Sequence, residues 1–332
     1  MSIVPQKLAS GDEIRVVAPA RSLSIIGEKN TALAKKKLES TGYTVTFSEH
    51  CLECDLFASS SIQSRIADLH AAFADKKVKA ILTAIGGFNS NQLLPHLDYD
   101  LIKKNPKILC GYSDITALAN GIFAKTGIVT YSGPHFSTFA MQKEFEFTQD
   151  YFNKCLVKKM SIAVVASKYW SDDQWYLDQE KRELHKNDGL WIIQEGSGSA
   201  TGTIVGGNIT IFSLLFGTPY MPNLKDAIVF LEDDELAKGD TAVLFDDKLH
   251  SLFQQPGADG IKGIVIGRFQ KKSNIQREHI AFMFKNMTNL NSIPVVANVD
   301  FGHTYPLITF PIGGKAELLV KDGNAALRIL DH

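Results

Sequence analysis

The residues of this chain that could do chemistry gather at glycine turns. A nucleophilic serine needs an exposed tight turn, a base within hydrogen-bond reach, and backbone N–H donors aimed at the developing oxyanion. Ser113 has that setting, because the predicted strand Lys107 to Cys110 ends at Gly111 and Gly-Tyr-Ser-Asp then leads into a predicted helix over Ala117 to Phe123. A serine there lies near a helix N-terminus, where free N–H groups and the dipole stabilise negative charge. The competing reading is that Ser113, helped by Asp114, only caps the helix, since Ser is a favoured N-cap.

The neighbouring run Val78 to Thr83 ends in Ile85-Gly86-Gly87-Phe88, and glycine permits a backbone approach to a ligand that a side chain would block. A tight turn is the bland alternative, and Gly206-Gly207-Asn208 poses the same choice. Among the nine histidines, His303 follows an apolar strand and a glycine and precedes Thr-Tyr-Pro, a good place for a base, although a loop histidine can equally be a surface or packing residue. Glu232 closes the run Asp226-Ala-Ile-Val-Phe-Leu-Glu, where a carboxylate after buried apolar residues must be solvated, paired or functional. A solvated acidic loop is the other meaning of Glu232 to Glu235. Cys51 and Cys54 have metal or redox spacing with His50 adjacent, but no second pair completes a four-ligand zinc site, so reduced thiols and no metal are expected. No Walker loop, dinucleotide fingerprint, zinc-protease pair or EF-hand loop is present, and no cofactor is expected.

The elements that must position these residues follow from periodicity. Ile14 to Ala18 is a predicted strand, Gly27 to Gly42 a helix, Tyr43 to Phe47 a strand, Ser61 to Phe73 a helix, then Val78 to Thr83 and Lys107 to Cys110 strands. That alternation is the mark of an α/β fold with a parallel sheet, whose ligands bind outside the carboxyl ends of the strands. Beyond residue 150 the pattern turns to aromatic and charged sequence around Tyr169 to Trp175. Short strands then dominate: Leu190 to Gln194, Thr201 to Val205, Ala227 to Leu231, Gly263 to Gly267 and Pro294 to Asn298, with a helix over Ser273 to Met287. The expected division is residues 1–150 as the α/β domain carrying Ser113, 151–180 as linker and substrate loop, and 181–332 as a smaller β-rich mixed domain carrying Glu232 and His303.

Composition agrees with a globular chain: 332 residues, 45% hydrophobic, 21% charged and net charge −1, too balanced to suggest nucleic acid or an anionic membrane as partner. The N-terminus lacks the features of a signal peptide and no apolar run is membrane-length, so a cytoplasmic protein is expected.

Taken jointly, the segments resemble the LD-carboxypeptidase family of serine peptidases, which includes the microcin C immunity peptidases. The resemblance rests on Val16-Val17-Ala18-Pro19, Gly86-Gly87, Gly111-Tyr-Ser113-Asp114, Gly206-Gly207-Asn208 with Gly217-Thr-Pro-Tyr220, Phe230-Leu-Glu232-Asp233, Gly263-Ile-Val-Ile-Gly267, and Gly302-His303 followed by Phe310-Pro-Ile-Gly313. It implies a flavodoxin-like first domain, a β-rich second domain, a homodimer and no metal. It also implies Ser113 as nucleophile, His303 as general base, Glu232 as the acid that orients it, and the N–H groups of Gly87 and Asp114 as oxyanion donors. Where murein LD-carboxypeptidases resemble Arg-Gly-Gly-Tyr-Gly, this chain has Ile85-Gly-Gly-Phe-Asn89-Ser90-Asn91, which looks like the immunity-type branch. That branch hydrolyses an aminoacyl-nucleotide toxin and stacks its base on an aromatic side chain. Trp175 is the positional candidate for the stacking role, with packing between domains as its other reading; Trp170 and Trp191 have no assigned role. Gly86, Asn89 and Asn208 are the remaining candidates for substrate contact.

The leading expectation is hydrolysis of an amide bond in a small peptide-like substrate, either a muropeptide or an aminoacyl nucleotide, through an acyl-enzyme on Ser113. A non-enzymatic small-molecule binding protein on the same fold is the alternative, and a flavin or nucleotide redox protein lacks any cofactor fingerprint.

Overall fold

The computed structural model describes residues 2–287, 290 and 292–332. In chain order the strands of the first half are β1 (Glu13–Val17), β2 (Thr44–Phe47), β3 (Val78–Thr83), β4 (Ile108–Cys110) and β5 (Thr130–Ser132). Helices α1 (Glu28–Ser40), α2 (Ile62–Ala74), α3 (Tyr99–Lys104), α4 (Ile115–Thr126) and α5 (Glu146–Leu156) are interleaved with and follow them. The second half contributes β6 (Ile162–Val164), β7 (Tyr169–Trp170), β8 (His185–Lys186), β9 (Trp191–Gln194), β10 (Ser199–Asn208), β11 (Ala227–Glu232), β12 (Gly263–Gly267), β13 (Val295–Val299), β14 (Phe310–Ile312), β15 (Lys315–Lys321) and β16 (Asn324–Asp331). Its helices are α6 (Ile209–Ser213), α7 (Thr241–Phe253) and α8 (Arg277–Asn286).

The first sheet has the order β14-β5-β4-β3-β1-β2, with β1 to β5 all parallel and β14 antiparallel against β5. The order 2-1-3-4-5 is flavodoxin-like, and its switch point lies between β1 and β3. The expected strands and helices here appear within two residues at most ends; Ser61 caps α2 from outside, its hydroxyl accepting from Ser64 N–H.

The second sheet, β6-β16-β15-β10-β11-β12-β13-β9, is mixed: β10 to β13 run parallel, flanked by antiparallel strands on both edges. The two parallel sets place the carboxyl ends of β4, β11 and β13 beside one another. The bridge that holds them is α4. Asn120 on that helix donates from its amide to Gly206 O and accepts from Gly206 N–H (2.8 and 3.0 Å), and Thr116 Oγ1 accepts from Asn208 N–H at 3.0 Å. Such contact requires a bare backbone on β10: a Cβ on Gly207 would lie 2.5 Å from Thr116 Oγ1, and Gly206 and Gly207 have φ of +110° and +132°. The helix that begins directly after Ser113 is thereby docked on the sheet that carries Glu232.

Candidate active site

Ser113 lies in the turn between β4 and α4 with φ of +58°, a left-handed conformation that a side chain tolerates only when its surroundings enforce it. They do. A Cβ on Gly111 would fall 2.1 Å from Thr83 Oγ1, and one on Gly86 would fall 2.9 Å from Ser113 Cβ, so both glycines let neighbouring strand ends close around the serine. Asp114, fully buried, pins the facing loop: its carboxylate accepts from the N–H groups of Asn89 and Ser90 at 3.1 and 2.9 Å. Burial raises the Asp114 carboxyl above its ordinary range, although the Ser90 and Asn89 hydrogen bonds pull the other way. Among the described residues, neither Gly87 N–H nor Asp114 N–H donates to a protein acceptor, so both are available to a ligand.

Glu232 ends β11 and is 2% exposed. Glycines at Gly267 and Gly302 fence it, a Cβ at Gly302 lying 2.8 Å from Glu232 Oε2. His303 follows Gly302 in the loop after β13. Its Nδ1 stands 2.8 Å from Glu232 Oε2 and its Nε2 3.0 Å from Ser113 Oγ. A carboxylate oxygen can only accept, which assigns a proton to Nδ1; when the imidazole is neutral, Nε2 is then left to accept from the serine hydroxyl. Burial pulls the His303 pKa down, but the Glu232 charge and hydrogen bond, backed by Asp234 and Asp233, outweigh it and push the imidazole up to about 9. The structure therefore brings Ser113, His303 and Glu232 into one hydrogen-bonded chain. A hydroxyl, an imidazole and a carboxylate so linked can activate an oxygen nucleophile.

The other candidates divide by depth. Gly86 is buried against Ser113 and His135, and Asn89 is half-buried in the same loop. Asn208 is 2% exposed and committed to structure, its Oδ1 capping α6 at Ile211 N–H (3.1 Å) and its amide donating to Asp233 (3.2 Å). Trp175 is 4% exposed and packs edge-on against Tyr305 with ring centroids 6.1 Å apart. As it stands it offers no open face for a base to stack on, and of its two readings burial favours packing. Trp170 lies under the Arg268 guanidinium at 5.4 Å, and Trp191 donates to Asp188 at 3.0 Å. Cys51 is buried, Cys54 exposed, and His50 Nδ1 is held by Asp68 at 2.7 Å; among the described residues no cluster of three or more His, Cys, Asp or Glu is arranged for a metal.

Several residues around Ser113, His303 and Glu232 escaped sequence reasoning. His135, 2% exposed, lies behind the serine, bonded through Nδ1 to Thr83 Oγ1 at 2.7 Å and stacked on Tyr112 at 4.4 Å. Burial, with a smaller contribution from His303, drives its pKa down to about 3, so it is a neutral wall of the site. Tyr112 in turn meets the edge of His303 at 5.5 Å and shares a hydroxyl contact of 3.1 Å with Tyr305. The available signal was a third strand end, Thr130–Ser132 followed by Gly-Pro-His. Farther out, Arg268 donates to Asp300 (2.5 Å) and Asn298 (2.8 Å), while Asp300 accepts from Ser167 N–H at 2.7 Å. This buried network ties the start of the His303 loop to the segment before β7.

Comparison with known proteins places the whole chain. The LD-carboxypeptidase N-terminal domain matches residues 14–133 and the LD-carboxypeptidase C-terminal domain residues 201–318. A solved MccF-like protein from Bacillus anthracis is 54% identical, with 100% of both chains covered and a TM-score of 0.98. YocD of Bacillus subtilis, assigned by name to the carboxypeptidases, is 50% identical over 98% of this chain and 99% of its own. The microcin C7 self-immunity protein MccF of Escherichia coli is 29% identical over 96% of this chain and 94% of its own. A structure of MccF in complex with aspartyl sulfamoyl adenosine superposes with a TM-score of 0.85 at 28% identity, covering 99% of each chain. Among the described residues, no helix is long and apolar enough to cross a membrane.

Proposed function

The chain belongs to the LD-carboxypeptidase family, and on that premise we propose that it is a serine-type hydrolase acting on an amide bond beside an anionic group of a small peptide-like substrate. The observation that carries this reading is the hydrogen-bonded chain from Ser113 Oγ through His303 to Glu232. Ser113 Oγ attacks the scissile carbonyl as His303 Nε2 takes its proton, and Glu232 holds the resulting imidazolium in place. The N–H groups of Gly87 and Asp114 receive the oxyanion, an interaction in which loss of one donor typically costs on the order of 100-fold or more in turnover. Collapse of the tetrahedral adduct passes the proton from His303 to the departing amine and leaves an acyl-enzyme, which water, activated by the same imidazole, then hydrolyses.

Two substrates fit: an aminoacyl nucleotide and a muropeptide cut between an L- and a D-residue. Likeness to the MccF-like and MccF structures favours the first. Assay of the purified protein on aspartyl sulfamoyl adenosine and on a tetrapeptide muropeptide separates them, release of D-alanine without nucleotide cleavage deciding for the second. Gly86 and Asn89 would contact substrate directly, with Asn208 and Trp175 supporting the site from beneath. Replacing Ser113 by Ala should abolish hydrolysis; activity retained in that variant would refute the assignment and revive a non-enzymatic binding role. The same reading extends to a homodimer working in the cytoplasm, and analytical ultracentrifugation at micromolar concentration tests its first half.

A further inference from the structure

The proposed reaction needs something to hold the anionic group on the leaving side, and the triad and oxyanion donors do not supply it. The chain has seven arginines. Arg15 pairs with Glu13 and Asp75, Arg182 with Asp173, and Arg268 with Asp300, while Arg277 donates to Ile192 O. Arg65 is buried beneath the oxyanion loop and donates to the carbonyls of Pro19 and Asn89 and to Gln92. Only Arg21 and Arg328 have side chains that donate to no protein acceptor among the described residues. Arg328 lies on the exposed face of β16 and needs no explanation.

Arg21 is different, for it is half-buried beside the proposed oxyanion donor. It follows the carboxyl end of β1, and Gly86-Gly87 follows the carboxyl end of β3, so the two flank the switch point of the first sheet, where open α/β folds bind ligands. Its backbone N–H donates to Gly86 O at 3.3 Å, and its stem lies against Gly87, where a Cβ would fall 2.7 Å from Arg21 Cγ and 3.1 Å from Arg21 N. The bare Cα of Gly87 is thus the floor on which the Arg21 side chain rests. Among the described residues the guanidinium donates to no protein acceptor, and its planar fork suits a carboxylate or an ionised sulfamoyl or phosphoryl group.

We propose that Arg21 binds the anion on the leaving side of the scissile amide, and so sets the preference for substrates that carry one. This rests on the serine-hydrolase reading, and its test has an arm that does not. Binding is measured by calorimetry on Ser113→Ala, with two pairs of ligands: the tetrapeptide muropeptide and its C-terminal carboxamide, and aspartyl sulfamoyl adenosine and the ketosulfone in which CH2 replaces the ionised nitrogen. We expect the anionic member of one pair to bind about 10–100-fold tighter than its neutral partner, the range for a charged hydrogen bond. Adding Arg21→Ala should bring that ratio close to one, and Arg21→Lys should keep part of it, since a lysine retains charge without the fork. The pair that discriminates identifies the source of the anion. A ratio that survives Arg21→Ala and Arg21→Gln, or Ser113→Ala protein that distinguishes neither pair, would overturn the proposal. Labelling of Ser113 in the wild-type protein by a fluorophosphonate reports on the nucleophile alone, so its failure would sink the hydrolase reading while leaving the ligand ratios to judge Arg21.

Discussion

At the scale of single residues, the site contains a tension between charge and catalysis. On the proposed mechanism Glu232 orients His303, yet its charge also favours the protonated imidazole, whose pKa is pushed up to about 9, whereas a base must be neutral to accept the Ser113 proton. We therefore expect kcat/KM to climb between pH 7 and 9 instead of levelling near the ordinary histidine value. Glu232→Gln should move the inflection down, because burial then acts with less opposition, while turnover falls by about 10³–10⁴-fold through loss of orientation. An inflection near 6.5 in the wild type would contradict the first expectation. The same shift has a stability consequence. His303 gains affinity for its proton on folding, so its contribution is fully present below the unfolded pKa and is lost as pH rises through about 9. Ser113 carries the second residue-scale burden, its φ of +58°. Glycine relieves that strain and alanine does not, so Ser113→Gly should be more stable than Ser113→Ala by about 1 kcal/mol. Urea midpoints of the two inactive variants measure it, and equal midpoints would mean that the turn stores no strain.

At the scale of elements, the proposed catalysis depends on how strand ends are brought together. Gly302 lies between β13 and His303, and with φ of +106° and Glu232 only 2.8 Å from a Cβ it has no tolerance for a side chain. Gly302→Ala should displace the carboxylate and lower kcat while leaving KM nearly unchanged, a split that steady-state kinetics reads directly. Asn120 performs the longer-range task of docking α4 on β10 through both polar groups of Gly206. Asn120→Ala leaves that buried peptide unsatisfied and should destabilise the protein by about 2–4 kcal/mol, as denaturant unfolding would show. These joints explain what the sequence could and could not reveal. Val78–Thr83 and Gly263–Gly267 were legible to the residue because each is a short, mostly apolar run between turn signals, broken in the first only by Lys79, as nearly fully buried strands tend to be. The β15–β16 hairpin was readable but unread: Lys315–Lys321 alternates exposed and buried positions and Asp322-Gly323 is a hairpin turn. Helix α7 was hidden by the acidic run before it, which draws attention to solvation and away from periodicity. Gly206-Gly207 announced only that a side chain was unwelcome. That a helix some 86 residues earlier in the chain was the reason could not be seen without the fold.

For the whole molecule, the question is whether the chain behaves as two domains or one. Sequence pattern suggests a cut near residue 150, with a self-contained α/β domain before it. The strand β14 argues against so clean a division, because Phe310–Ile312 pairs with Thr130–Ser132 and closes the edge of the first sheet from the far end of the chain. The core is shared as well. Phe310 on β14 packs against Phe230 on β11 with ring centroids 4.8 Å apart, and Phe301 lies within 5.6 Å of Phe230, so aromatic side chains attached to different sheets form one buried cluster with Val16 and Ile108. Removing everything after residue 150 would strip the partner from β5 and expose Tyr131, Ile108 and their neighbours to water, at roughly 1.5–3 kcal/mol for each large apolar side chain uncovered. A domain's stability is typically only about 5–15 kcal/mol, so a few such side chains exhaust it. We expect residues 1–150 expressed alone to lack cooperative unfolding and to bind a hydrophobic dye, and the full chain to unfold in a single transition whether followed by tryptophan fluorescence or by far-ultraviolet circular dichroism. The two probes weigh the chain differently, since Trp170, Trp175 and Trp191 all lie beyond residue 150 and fluorescence follows that half alone, while circular dichroism follows helices throughout the chain. Separated midpoints would show that the sheets fold independently; coincident ones would mean that the triad, assembled across both, is lost only when the whole molecule is.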